Sequence, residues 1–203
     1  MVKDGIYYAA ALIAAGVCVS WLTWPWLGAP LYLLALFCLY FFRDPDRSIP
    51  PGPVAVSPAD GKVVAIVPEN GLTRMSVFLN VFDVHVNRSP IGGKVVAVRY
   101  QRGKFLVASR ETASVQNEQN AVTVEAPDGV RVTFKQIAGL IARRIVFRKN
   151  IGDTVAAGDR IGLIKFGSRV DILFGPEWEM AVKTGQRVSA GSSVIARRKG
   201  QAA

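Results

Sequence analysis

Thirty-eight consecutive residues, Gly5 to Phe42, carry no Asp, Glu, Lys, Arg or His. Such a run cannot face water along its whole length. A bilayer core takes about 20 apolar helical residues, so Ile6 to Trp24 fits one crossing and Trp26 to Phe42 a shorter, tilted or kinked second one. Pro25, Gly28 and Pro30 lie between them, and Pro and Gly interrupt helices and favour turns. Trp21, Trp24 and Trp26 suit the headgroup level, where aromatic belts sit. A cleaved signal peptide would explain the first run but not the second. The reading is an N-terminal transmembrane helical hairpin over residues 1–47. Composition leaves open whether it spans or is re-entrant.

Charge gives the side. Lys3 precedes the hairpin, Arg43 and Arg47 follow it, and the turn is uncharged. By the positive-inside rule both ends belong in the cytoplasm, which places the chain at the inner (cytoplasmic) membrane. The net charge is +10, nearly all of it after the hairpin. A basic domain held at a bilayer is attracted to anionic lipid. The tether, and the lack of a basic run with interleaved aromatics, argue against nucleic acid as partner. Cys18 and Cys38 both fall in the apolar runs, so neither a disulfide framework nor a zinc site is available, and no metal is expected.

Residues 48–203 suffice for one domain. After the linker Ile49-Pro50-Pro51-Gly52-Pro53, helical periodicity is scarce. Short β-branched runs alternate with Gly, Pro, Asn and Asp turns, as in an all-β sandwich or barrel. Expected strands include Val63–Val67, Ser76–Val86, Val95–Tyr100, Val122–Glu125, Val130–Gln136 and Ile145–Arg148, with a short helix near Ala138 to Arg143. Two echoes sharpen the picture. Gly61-Lys62-Val63-Val64-Ala65-Ile66 returns as Gly93-Lys94-Val95-Val96-Ala97-Val98, and Gly152-Asp153-Thr154-Val155-Ala156-Ala157-Gly158 returns as Gly185-Gln186-Arg187-Val188-Ser189-Ala190-Gly191. The Gly-x-x-Val-x-Ala-Gly hairpin is typical of barrel-sandwich-hybrid folds such as biotinyl and lipoyl carriers. A mainly β domain of two hammerhead-like halves is therefore expected.

With one histidine, His85, most catalytic schemes drop out. If Val77 to Arg88 is a strand, Asp83, His85 and Asn87 share one face. That polar face is either a pocket or an ordinary sheet edge. Asp60, in Ser57-Pro58-Ala59-Asp60-Gly61, reads on its own as a turn residue. Gly167-Ser168 lies between two apolar runs, and a serine hydroxyl could attack the preceding glycine carbonyl if a base took its proton.

Taken in order, these segments resemble the short, membrane-anchored class of phosphatidylserine decarboxylase proenzymes over essentially the whole chain. The resemblance rests on Phe41-Phe42-Arg43-Asp44-Pro45-Asp46-Arg47, Ser57-Pro58-Ala59-Asp60-Gly61, Phe82-Asp83-Val84-His85-Val86-Asn87-Arg88-Ser89-Pro90 and Gly103-Lys104-Phe105-Leu106. It continues through Asn117-Glu118-Gln119-Asn120, Gln136-Ile137-Ala138-Gly139, Ala142-Arg143-Arg144-Ile145 and Phe166-Gly167-Ser168-Arg169. The longer bacterial enzymes carry Leu-Gly-Ser-Thr where this chain has Phe-Gly-Ser-Arg, and a second histidine where it has Arg88.

The resemblance implies autocatalytic cleavage between Gly167 and Ser168, giving a large chain (1–167) and a small one (168–203) that remain together as a heterodimer. Ser168 would become a pyruvoyl group, the covalent cofactor, and hold the substrate as a Schiff base. His85 would be the general base and acid, and Asp60 would orient it. Arg143 and Arg144 are candidates for the headgroup of a phospholipid in the membrane. The implied reaction takes phosphatidylserine to phosphatidylethanolamine and carbon dioxide. Three rivals stand beside it: a decarboxylase of the archaetidylserine type, a non-enzymatic membrane-tethered adaptor of the biotinyl or lipoyl kind, and a membrane protease using Ser168.

Overall fold

The structure, a computed structural model, describes residues 2–108, 111–140, 144–165 and 168–200. The chain divides into two compact units, with the boundary between Asp46 and Arg47.

The first unit is helical. Helix α1 spans Lys3–Leu22, a 3-10 turn covers Pro25–Gly28, and α2 spans Ala29–Phe41. Pro25 opens the turn and Pro30 lies in the first turn of α2, where a missing N–H costs no helical bond. The two helices pack closely through small residues. A Cβ at Gly16 would lie 2.6 Å from the Tyr32 ring, and one at Gly5 would lie 2.4 Å from Phe42 Cβ. At the open end the Val2 N–H donates to the Phe42 carbonyl at 3.0 Å. Close approach at small residues is how helices associate in lipid, where no hydrophobic drive exists between them. Trp21, Trp24 and Trp26 stay exposed around the turn. Among the described residues only α1 is long and apolar enough to cross a membrane unaided; the second apolar helix is shorter.

The second unit is mainly β. In chain order its strands are β1 (Val54–Val56), β2 (Gly61–Glu69), β3 (Leu72–Leu79), β4 (Val86–Arg88) and β5 (Gly93–Gln101). The one-turn helix α3 (Ala113–Gln116) precedes β6 (Gln119–Glu125), β7 (Arg131–Ile137), β8 (Arg144–Phe147), β9 (Thr154–Val155) and β10 (Arg160–Lys165). The last four strands are β11 (Ser168–Phe174), β12 (Trp178–Met180), β13 (Arg187–Val188) and β14 (Val194–Arg198). A curled sheet runs in the order β13-β2-β3-β11-β7-β6-β5-β9, flanked by two three-stranded sheets, β4-β10-β8 and β1-β14-β12. Strands β2 and β3 join through Asn70-Gly71, both at positive φ, as a two-residue hairpin turn requires. The core face of the large sheet carries Met75, Val77, Leu79, Val122, Phe134, Val170, Ile172 and Phe174, all fully buried. Each such side chain is worth roughly 1.5–3 kcal/mol against exposure, so this layer dominates the unit's stability.

The sequence echoes are structural equivalents. In one copy the Val63 N–H donates to the Gln186 carbonyl at 2.9 Å and the Gly185 N–H to Val63 O at 2.8 Å. In the other, Val95 N–H donates to Asp153 O at 2.9 Å and Gly152 N–H to Val95 O at 2.8 Å. Each copy carries a bulge at the same place, Val63/Ala65 and Val95/Ala97. The copies also hold one another. The Val56 N–H donates to the Pro90 carbonyl and the Arg88 N–H to the Pro58 carbonyl, both at 2.9 Å. The repeat therefore begins earlier than the glycines, at Ser57-Pro58 and Ser89-Pro90.

Two expected elements differ. The strand expected over Ser76–Val86 breaks at Leu79. Asn80 Oδ1 accepts from the Phe82 N–H at 2.8 Å and Asp83 Oδ2 accepts from the Asn80 N–H at 2.9 Å, so local side-chain bonds replace the ladder and the chain turns into another sheet. Residues 138–140 are not helical; the remainder of the helix expected near Ala138 to Arg143 lies outside the described residues. The domain's short helix is instead α3.

Candidate active site

Ser168 opens β11, between β3 and β7 in the middle of the large sheet. It pairs with Leu79 of β3, and its side chain falls on the core face with Val170 and Ile172. It is fully buried, and among the described residues its Oγ has no hydrogen-bond partner. A buried hydroxyl without a partner costs about 1–3 kcal/mol, and such an exception asks for a chemical reason. Gly167, the other half of the expected cleavage site, lies outside the described residues.

His85 lies against β10, the strand that precedes β11 in the chain. The turn after Leu79 carries it, and its carbonyl accepts from the Ile164 N–H of β10 at 3.3 Å. That contact sets His85 beside the end of β10, whose last residue is Lys165. The imidazole is 2% exposed, and its Nδ1 lies 2.9 Å from the Asp83 carbonyl oxygen. A carbonyl only accepts, so Nδ1 carries the proton and, in the neutral ring, Nε2 carries the lone pair.

Asp83, His85 and Asn87 do not share a strand face, because the extended backbone ends at Leu79. The Asp83 carboxylate pairs with Arg187. Asn87 joins a buried amide chain instead: Gln136 Nε2 donates to Asn87 Oδ1 at 2.8 Å, and Asn120 Nδ2 donates to Gln136 Oε1 at 3.2 Å.

Asp60 sits in the Ser57–Gly61 turn, which docks on β4 because the Arg88 N–H and Asn87 Nδ2 both donate to the Pro58 carbonyl, at 2.9 and 3.5 Å. Its carboxylate accepts from Arg47 Nη2 at 2.9 and 3.1 Å and from the Ala190 N–H at 2.7 Å. The His85 Nδ1–H donates to the Asp83 carbonyl. The equivalent of Asp60 in the second repeat is Gly92, where a Cβ would lie 3.5 Å from the Ala157 nitrogen. One half of the duplicated fold thus carries a carboxylate and the other does not.

Arg88, at the position of the longer enzymes' second histidine, is 5% exposed and donates Nη1 to the Gly158 carbonyl at 3.0 Å. It ties a repeat hairpin to β4. Arg144 is exposed at the start of β8 and pairs in register with Lys165, itself 8% exposed. Arg143 lies outside the described residues. Among the described residues no group of three His, Cys, Asp or Glu side chains is placed to hold a metal ion.

Sequence reasoning missed the polar layer on the reverse face of β11. Arg169 and Asp171 are both fully buried there and paired at 2.6 Å. The signal available was Arg169 itself, a charged residue beside the candidate serine. It also missed the anchoring role of Asn117, whose Nδ2 donates to the Leu106 and Ala138 carbonyls at 2.8 Å each.

A family model described as phosphatidylserine decarboxylase matches residues 34–196. A protein of Solibacter usitatus named phosphatidylserine decarboxylase proenzyme is 71% identical over 198 residues, covering 98% of this chain and 97% of that protein. Proteins of the same name from Solidesulfovibrio magneticus and Magnetococcus marinus are 45% and 42% identical, each over 98% of this chain and 96% and 95% of their own lengths. On this coverage and identity, the chain belongs to the phosphatidylserine decarboxylase family, a family of carboxy-lyase enzymes.

Proposed function

We propose that the chain is a zymogen that cuts itself between Gly167 and Ser168 and then converts phosphatidylserine to phosphatidylethanolamine and carbon dioxide. The observation that carries this reading is Ser168 Oγ, buried without a hydrogen-bond partner among the described residues and preceded by glycine in the sequence. A nucleophile needs its lone pairs unspent and a base nearby.

His85 is the base in this reading, with Nδ1–H fixed on the Asp83 carbonyl and Nε2 receiving the Ser168 proton. Asp60, held by Arg47 and the Ala190 N–H, orients His85 in this reading by fixing the turn docked on β4, the strand that directly follows His85. As Oγ bonds to the Gly167 carbonyl carbon, the Gly167–Ser168 amide breaks, and the proton passes from His85 to the released amine. Loss of the Ser168 Cα proton then expels Gly167 as a carboxylate and leaves dehydroalanine. Tautomerisation, addition of water and loss of ammonia convert it to a pyruvoyl group.

Residue 168 suits that group, because a hydroxyl without partners in an apolar wall leaves room for a ketone that accepts no obligatory bond. When formed, the pyruvoyl group supplies the electron sink for loss of the substrate carboxylate. The chain's own part in that phase is positioning and proton delivery. His85 returns a proton to the carbon that lost carbon dioxide. Arg143 and Arg144 receive the phosphodiester and carboxylate, which guanidinium binds bidentately.

The helical unit brings the enzyme to its substrate. Lipid acyl chains stay in the bilayer, and Lys3, Arg43 and Arg47 hold the β unit at the cytoplasmic face. The small fragment contributes β11, β13 and β14, which pair with β1, β2, β3 and β7 of the large one. The two fragments remain associated on that account.

Intact mass of the purified full-length protein tests the reading. Two fragments, 1–167 and 168–203, are expected, the smaller lacking a free amine and lighter than its serine form by one ammonia. Ser168→Ala and His85→Ala should both remain one chain. A wild-type protein that stays uncut overturns the proposal. Normal cleavage in His85→Ala removes that residue from the base role.

A further inference from the structure

Cleavage at Gly167–Ser168 leaves residue 168 as a chain end, and what then holds it is visible on the reverse face of β11. Residue 168 is paired on one side only, to Leu79 of β3. Arg169 is the first position held on both sides, by Phe78 of β3 and Ile137 of β7. Consecutive strand residues point to opposite faces, so Arg169 enters the layer opposite the reactive centre. There it is fully buried.

Its partners are specific. Arg169 Nε donates to Asp171 Oδ1 at 2.6 Å, and Nη2 donates to Ser76 Oγ at 2.7 Å and to Glu111 Oε1 at 3.3 Å. Asp171 Oδ2 accepts from Ser114 Oγ at 2.5 Å. Ser76 Oγ also accepts from Arg74 Nη1 at 2.8 Å, and Arg74 Nη2 donates to Glu111 Oε2 at 2.8 Å. Apart from the Arg169–Asp171 pair, every one of these partners lies upstream of Ser168. After the cut they belong to the other fragment.

We propose that Arg169 is a positioning residue for the processed enzyme. Clamped by Asp171 on its own fragment and by Ser76 and Glu111 on the other, it fixes the angle and depth at which residue 168 meets the substrate once the peptide bond to Gly167 is gone. Before the cut, that bond performs the same task. A buried guanidinium suits the role, since its planar fork sets direction as well as distance, and removing a member of a buried charge network leaves the others uncompensated. The inference rests on the self-cleavage reading.

Arg169→Gln and Arg169→Lys in the full-length protein test it, because clamping after the cut predicts that cleavage and turnover separate. Cleavage half-time should stay within about threefold of wild type, while kcat of the processed enzyme should fall about tenfold to a hundredfold with KM nearly unchanged, the scale set by an ångström of misplacement. Labelling of the residue-168 ketone by phenylhydrazine should accelerate, since the chain end swings out. Lys should restore part of the turnover. Glu111→Gln, at the exposed rim of the network, serves as a milder variant if Arg169→Gln does not fold, and should show the same separation at smaller size.

Parallel loss of cleavage and turnover would reduce Arg169 to a folding residue, and unchanged labelling with unchanged kcat would overturn the clamp outright. A wild-type chain that is never cut overturns the self-cleavage reading, and the clamp with it. A wild type that is cut normally beside an unaffected variant overturns the clamp alone.

Discussion

Replacing Gly61 by alanine tests whether the turn that carries Asp60 depends on close backbone contact. Gly61 has φ +145, and a Cβ there would lie 2.2 Å from the Phe78 carbonyl oxygen and 2.9 Å from its carbon. Both atoms are backbone in the neighbouring strand, so they cannot turn aside as a side chain would. Relief requires β2 to move from β3 by about an ångström, which would disturb the ladder at Lys62 and Val63. Strained backbone for an L residue costs about 1–3 kcal/mol, and overpacking adds about 1–3 kcal/mol. The sum is about 2–6 kcal/mol, or roughly 5–20 °C in Tm for a unit of this size.

Thermal unfolding of the full-length protein in detergent, in a Ser168→Ala background, measures it. Two controls separate the causes. Gly71 has φ +79 with nothing near its would-be Cβ, so Gly71→Ala should show the strain alone. Gly92, the repeat equivalent of Asp60, has its nearest atom at 3.5 Å, so Gly92→Ala should be close to neutral. If Gly61→Ala melts within about 2 °C of its parent, or no lower than Gly71→Ala, the close-contact argument fails.

Two further predictions rest on polar contacts. Partial burial pushes the Glu111 carboxyl up, but the hydrogen bond from Arg74 and the charge of Arg169 outweigh it and hold the group below its usual 4.5. A carboxyl depressed on folding stabilises above its unfolded value and loses that contribution as pH falls through the folded one. Glu111→Gln should therefore be less stable near neutrality and show a flatter melting profile as pH falls below about 4.5, read by Tm against pH. Asn117→Ala removes three hydrogen bonds, two half-buried ones to Leu106 N–H and O and a buried one to Ala138 O. At about 1 kcal/mol each, the loss should open residues 103–118 to limited proteolysis well before global unfolding.

The helical unit was the most legible part of the chain, because charge exclusion acts locally. Pro25, Gly28 and the absence of charged residues placed the two helices and their turn within a few residues. The strands were nearly as clear, since Val, Ile and Thr between Gly, Asn and Asp turns encode the period of a pleated sheet. The repeated Gly-Lys-Val-Val-Ala segment marked equivalent bulged strands, because the same side chains meet the same partners twice.

The interruption at Asn80 was not legible. Val77 to Arg88 alternates well enough for one strand, but Asn80 and Asp83 offer the backbone local bonds, and only the two sheets flanking this turn decide that it bends. That bend in turn decides His85, which sits beside the end of β10 rather than on a polar strand face.

What the sequence determined by itself is what local chemistry can carry: an uncharged hairpin, a basic β domain, one histidine, and a glycine–serine pair between apolar strands. Tertiary structure decided which groups meet. Ser168 Oγ is buried without a partner among the described residues because β11 runs through the middle of the sheet. Arg169 can be buried because Ser76, Glu111 and Asp171 close around it from 93, 58 and 2 residues away in the chain. Contacts at such separations leave no periodic trace in a sequence, since nothing between the partners has to repeat for them to touch.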